Sequence, residues 1–195
     1  MSLTPRQLSL FGVEAGDPAP GDLAGLLAGP GQVVRMGGTA RVSVVVDAAW
    51  RVHVLVAEFD RRRLTPTWSP TEVEGHLGVR TSYSTTLATL GAAWLRGAVK
   101  RPPPGFHLDG RRLRLWVAAA GGPDPLGFTL RLGSSDEACW EPVGAALAAV
   151  GLPAVLLGPR AGGPAYRVTG RRRLARLAEL VGDRPAPAPW EVWPA

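Results

Sequence analysis

The stretch LAGLLAGPG, residues 23–31, decides how the rest of the chain is read. Asp22 before it is a good helix N-cap, and Pro30 with Gly31 stops the helix. Working outward, QVVRM, Gly37-Gly38 and ARVSVVV predict a β-hairpin. Asp47 then starts a helix through AAWRVHVLVAEFDRRRL, with Trp50, Val54 and Leu55 on its apolar face. Strands near residues 65–68 and 77–83 follow, and a short helix near residues 85–90 closes the unit.

The same order is expected a second time. AAWLRGAVKR, from Ala92, reads as a helix stopped by Pro102, Pro103 and Pro104. GFHLDG and RRLRLWVAAAG read as a second hairpin, and GFTLRLG as an additional strand. Ser135 and Asp136 cap DEACWEPVGAALAAVG, where Pro142 predicts a kink or a late start. PAVLLG and AYRVTG are two more strands. RRRLARLAELVG is an amphipathic helix, with Leu174, Leu177, Leu180 and Val181 on one face and Gly182 at its C-terminus. The expected units are a tail over residues 1–21, a first half over 22–90, a second half over 91–184 and a Pro/Ala/Trp tail over 185–195.

Residues 23–31 resemble the LAGLIDADG motif of homing endonucleases, and LRGAVKRPP, residues 95–103, resembles its second copy. Leu23, Gly25 and Pro30 match Leu95, Gly97 and Pro102 at one constant offset. The resemblance implies an α+β fold of two tandem αββαββα halves related by a pseudo-twofold. It places helices on one side of saddle-shaped antiparallel sheets. It gives Gly25 and Gly97 the task of letting two motif helices approach closely, and it implies duplex DNA as partner. The WhiA family of regulators is similar in kind, a LAGLIDADG domain that does not cut.

In the endonucleases each motif ends in an acidic residue that holds a divalent metal. Here the matching positions are Pro30 and Pro102, and neither can bind a metal. His53, His76 and His107 are scattered, and no Ser or Cys stands in a nucleophile motif. The expectation is a non-enzyme with no cofactor and no metal. What remains is basic sheet. Alternation sets Arg41 beside Ser43 on one strand and Arg112 beside Arg114 on another, while Arg35, Arg80, Arg131 and Arg167 lie on further strands. Arginine suits phosphates and guanine edges, so these seven are the candidate DNA contacts.

The tails carry a separate signal. QLSLF, Gln7, Leu8, Ser9, Leu10 and Phe11, resembles the pentapeptide by which bacterial replication and repair proteins bind the sliding clamp. Leu10 and Phe11 would fill an apolar pocket, worth roughly 1.5–3 kcal/mol each before ordering costs. Residues 13–21, VEAGDPAPG, read as a linker, and Trp190 or Trp193 is expected to dock on the domain.

Composition bounds the rest. With 195 residues, 46% of them hydrophobic and 19% charged, the chain can bury a sizeable core. The net charge of +6 suits a phosphate-bearing partner. Cys139 is the one cysteine, so disulfides and zinc clusters are out, and no apolar run reaches membrane-spanning length. The sequence reading is therefore a cytoplasmic, nucleoid-associated bacterial monomer without a membrane partner. It would bind duplex DNA and the replication sliding clamp in replication or repair. The alternatives are a WhiA-like transcriptional regulator, a residual metal-dependent endonuclease and a protein-interaction scaffold.

Overall fold

A computed structural model of the chain describes Gly12 and residues 16–195. The clamp-like residues Gln7, Leu8, Ser9, Leu10 and Phe11 lie outside the described residues. The motif stretch forms a 3-10 turn, Pro20–Leu23, running into the short helix α1, Ala24–Ala28. The hairpin β1 (Gln32–Met36) and β2 (Thr39–Val46) follows, then α2 (Ala49–Arg61), β3 (Pro66–Pro70) and β4 (Leu77–Thr81). A 3-10 turn, Thr85–Leu87, leads into α3, Ala88–Trp94.

The second unit repeats this order from a later start. It comprises α4 (Gly110–Ala120), β7 (Gly121–Asp124), β8 (Gly127–Arg131), α5 (Glu137–Ala149), β9 (Val155–Leu157), β10 (Ala165–Val168) and α6 (Arg171–Val181). Between the units lies a two-residue hairpin, β5 (Leu95–Arg96) and β6 (Val99–Lys100). The two large sheets share one topology, β1-β2-β4-β3 and β7-β8-β10-β9, antiparallel throughout.

The second copy of the motif helix is therefore α4, not residues 92–101. Gly97 sits in the turn of the β5–β6 hairpin at φ +63°, facing open space, and brings no helices together. RRLRLWV alternates at the period of a strand yet is helical. Asp109 caps it by accepting a hydrogen bond from the Arg112 N–H at 2.9 Å. The helix lies at the centre of the molecule, packed against α1, α2 and α6. Residues 115–120 are all buried, whereas Arg111, Arg112 and Arg114 are half-buried, and it is their alternation with leucine that reads as a strand. The strand GFTLRLG is β8, the counterpart of β2, rather than an addition. Pro142 is accommodated within α5, which starts at Glu137.

The close approach expected of Gly25 is present. A methyl group there would fall 1.9 Å from the Arg112 carbonyl oxygen on α4, and one at Gly29 would fall 2.5 Å from the Trp116 indole nitrogen. Gly25 and Gly29 are four residues apart, so both face α4 along one side of the motif stretch. The groups of α4 that face these two glycines are the Arg112 backbone and the Trp116 indole. Trp116 is fully buried, and its Nε1 donates to the Arg131 carbonyl at 2.7 Å.

One face of each sheet packs on helices. Val33, Val42, Val44, Val46 and Val79 form that face in the first half, Phe128, Leu130, Tyr166 and Val168 in the second. Behind the helices a buried charge network joins the halves. Arg62 bonds Asp22 at 2.9 Å and Glu58 at 2.7 Å, while Arg111 and Arg114 of α4 reach the same two carboxylates at 3.3 Å. Of the C-terminal tryptophans, Trp193 docks. It lies under the Arg114 guanidinium and donates to the Gly182 carbonyl, whereas Trp190 is exposed.

Candidate nucleic-acid interface

The site forms where the two motif helices end. Pro30, from the α1–β1 connection, and Ala119 with Ala120, from the end of α4, line one cavity of about 490 Å³. Gln32, Asp47, His76, Arg131 and Asp136 complete its polar wall. Ala120 leads straight into β7, as Pro30 and Gly31 lead into β1. Ala120 thus stands at the acid position of the second motif, and Pro102 does not. Pro30 lines the cavity from the end of the first motif helix.

Each motif-helix end is closed by a buried cation. Lys100 Nζ donates to the Gly29 carbonyl at 2.9 Å and the Gly31 carbonyl at 2.7 Å, and pairs with Asp136 at 2.7 Å. Arg51, on α2, donates to the carbonyls of Val117, Ala118 and Gly121 at 3.2, 3.0 and 2.7 Å, and pairs with Asp47 at 2.8 Å. Helix C-termini carry unsatisfied carbonyls and partial negative charge, so both cations sit where the field favours them. The two arrangements differ in origin. Arg51 is the third residue of α2; the third residue of α5 is Cys139, whose small side chain packs against Lys100 instead.

Burial and partners set the protonation states. Burial pulls the Lys100 ammonium below its ordinary value, and the hydrogen-bonded Asp136 opposes that pull. For Asp47, burial pushes upward, but Arg51 and Arg131 outweigh it and hold the carboxyl below the usual range. The Cys139 thiol is pushed up to about 11, chiefly by burial, which keeps it un-ionised near neutral pH.

A divalent metal, as the family resemblance implies for this place, does not fit these residues. Pro30, Ala119 and Ala120 bring no carboxylate. The carbonyls at both helix ends are taken by Lys100 and Arg51. Asp136 and Asp47 already hold those cations, so an ion bound to either would meet a positive charge at contact distance. Among the described residues no three His, Cys, Asp or Glu side chains gather around a point suited to a metal.

The faces of the sheets turned away from the helices are open. Strand register puts Gln32 and Val34 of β1, Arg41, Ser43 and Val45 of β2, Thr67 and Ser69 of β3, and Arg80 of β4 on the first open face. On the second, Thr129 and Arg131 of β8 stand beside Arg167 of β10. Four of the seven candidate arginines thus share this surface. The other three do not. Arg35 pairs with the core residue Ala40 and packs by its stem near Gly91, on the helix side. Arg112 and Arg114 lie on α4. Arg112 donates to the His107 carbonyl, and Arg114 bonds Glu58 and the carbonyls of Val181 and Asp183. Both were placed on a sheet because the alternating stretch reads as a strand.

Sequence reasoning missed Arg51, Lys100 and the contacts of Asp47 and Asp136. One signal was available: Asp136 directly precedes α5 and Asp47 stands two residues before α2, each at the start of the helix between the two strand pairs of its half.

No protein-family model matches the chain, and no curated protein matches it in sequence. Solved structures do match in fold. The homing endonuclease I-WcaI, solved bound to its DNA recognition sequence, superposes with a TM-score of 0.62 at 15% identity, over 82% of this chain and 78% of that one. I-DmoI, in complex with DNA and Mn, aligns over 85% of this chain and 98% of its own at 13% identity and a TM-score of 0.45. The fold is that of the LAGLIDADG homing endonucleases, mixed helix and antiparallel sheet in two similar halves. Among the described residues no helix is long and apolar enough to cross a membrane.

Proposed function

We propose that this chain is a non-catalytic DNA-binding protein, a LAGLIDADG saddle that holds duplex DNA and is tethered to the replication sliding clamp by Gln7–Phe11. The observation that carries the non-catalytic reading is the closure of both motif-helix ends by Lys100 and Arg51, where a metal-dependent nuclease needs acids. Fold likeness to I-WcaI, a protein solved on DNA, supports the DNA reading, as do the net charge of +6 and the arginines of the open faces. The tether rests on the sequence of the pentapeptide and the linker-like stretch after it.

The experiment has two arms. Fluorescence anisotropy on a labelled duplex should show binding that weakens steeply with salt, since each neutralised phosphate releases counterions. A synthetic peptide spanning residues 4–13 should bind the host's clamp at micromolar Kd, and Leu10→Ala with Phe11→Ala should abolish that binding. Deleting residues 1–11 should leave the melting temperature and duplex affinity unchanged while removing the clamp contact. Failure of the first arm removes the DNA reading; failure of the second removes the tether alone.

A second reading, a WhiA-like regulator bound to a fixed site, is favoured by one observation. The open face of the first sheet carries exposed apolar side chains, Val34, Met36 and Val45, among its arginines. It expects duplex binding with no clamp contact, which the peptide arm decides.

A further inference from the structure

The cavity between the motif-helix ends has an apolar floor and a polar wall. Its volume of about 490 Å³ falls within the roughly 300–1,000 Å³ of small-ligand sites. Pro30, Val46, Ala119 and Ala120 form the floor, all too small to fill it. The buried cations at the helix ends have nothing left to offer an anion. Lys100 donates all three of its N–H groups, to Gly29, Gly31 and Asp136, and Arg51 donates to three carbonyls and to Asp47. A phosphate seated on this floor would find no donor from either.

What the wall offers is acceptors. Asp136 lines it with a side chain only 10% exposed. Its Oδ2 takes both Lys100 and the Gln32 amide, which leaves Oδ1 without a donor among the described residues. His76 lines the wall from the β3–β4 turn. Its Nδ1 is engaged by the Glu74 carbonyl at 3.1 Å, so Nε2 is the acceptor of the neutral ring. Ser134, Ser135 and the Arg131 guanidinium stand exposed at the mouth. The matching ligand has a flat apolar body and N–H groups along one edge. A nucleobase with an exocyclic amino group has both; adenine, cytosine and guanine carry one and thymine does not. Inside a paired duplex that base is stacked, so only an unpaired one can enter.

We propose that this cavity receives one unpaired, amino-bearing nucleobase from the DNA held on the saddle. Asp136 and His76 accept from its amino edge, the small apolar residues face its ring, and Arg131 meets the phosphate beside it. The inference rests on the DNA reading above and adds to it a preference for DNA whose pairing is interrupted. Replacing metal-binding acids by proline and alanine thus does more than remove a charge: it leaves room for a base where the two halves meet.

Fluorescence anisotropy with the full chain tests this on short duplexes that differ at their centre: fully paired, or carrying a single bulged adenine, cytosine or thymine. The adenine and cytosine bulges should bind about 10- to 100-fold tighter than the paired duplex, because those bases are already out of the pairing, and the thymine bulge should gain about tenfold less. Ser134→Trp, at an exposed position of the mouth, should bring the ratio of bulged to paired affinity close to one while the melting temperature holds. Free adenosine without DNA should not raise the melting temperature. A rise with adenosine and no bulge preference would make the ligand a free nucleoside and overturn the inference. Equal affinity for paired and bulged duplexes, equal gains for thymine and adenine, or a ratio that survives Ser134→Trp overturns it as well, while the DNA reading stands. Absence of binding to any duplex overturns both.

Discussion

Gly25→Ala should lower stability by about 3 kcal/mol or more, although alanine is the better helix former by about 1 kcal/mol. The added methyl would meet the Arg112 carbonyl at 1.9 Å, and since a Cβ has no rotamer and its partner is backbone, no side-chain rotation relieves the overlap. The helices must separate, and the seam between α1 and α4 is where the two halves meet. In a domain of this size the melting temperature should fall by about 6–12 °C. Gly97→Ala is the control. Its site is open, so the cost is that of φ +63° alone, about 1 kcal/mol. Thermal unfolding of the two variants side by side checks the assignment of the motif pair, because a pairing of residues 23–31 with 95–103 expects equal losses.

Lys100→Met should be of similar size, about 3–5 kcal/mol, because it leaves Asp136 charged in a buried site and strips the Gly29 and Gly31 carbonyls of their donor. Adding Asp136→Leu should recover part of the loss, since removing both members of a buried pair costs less than removing one. The Gln32 amide, which donates to the Asp136 carboxylate at 2.9 Å, limits the recovery by losing its own partner. Chemical denaturation of the single and double variants measures the coupling. An additive result would mean that Lys100 and Asp136 do not act as a unit.

How much of this was legible in the sequence follows from where each element lies. The helices α2 and α6 and the first hairpin could be read because each has one wet side, which leaves its period in the residue pattern, while α5 was marked by Ser135 and Asp136 at its start. In the central helix α4 residues 115–120 are all buried, and the alternating Arg112-Leu113-Arg114-Leu115 before and into them mimics a strand. That one misreading moved the second motif to residues 95–103 and put Arg112 and Arg114 on a sheet. It also moved the missing acid to Pro102, although Ala120, the true counterpart, lacks a carboxylate as well. The paired cations were hidden for another reason. Lys100 reaches Gly29 across about seventy residues, and Arg51 reaches α4 across a similar gap. Local patterns carry no trace of such contacts. Arg41 and Arg80 were found because they alternate with valines on half-wet strands.

The central claim is that cations have taken the place of metal at the motif-helix ends, leaving a saddle that holds DNA and does not cut it. One measurement tests it most directly: incubation of the full chain with supercoiled plasmid in magnesium or manganese at low salt, with complex formation and strand breaks scored on the same samples. The account predicts salt-sensitive complex formation and no nicked or linear product, with binding unaffected by chelator. Metal-dependent nicking that survives stringent purification and is abolished by Asp47→Asn or Asp136→Asn would contradict it, because the carboxylates now tied to Arg51 and Lys100 would then be holding a metal.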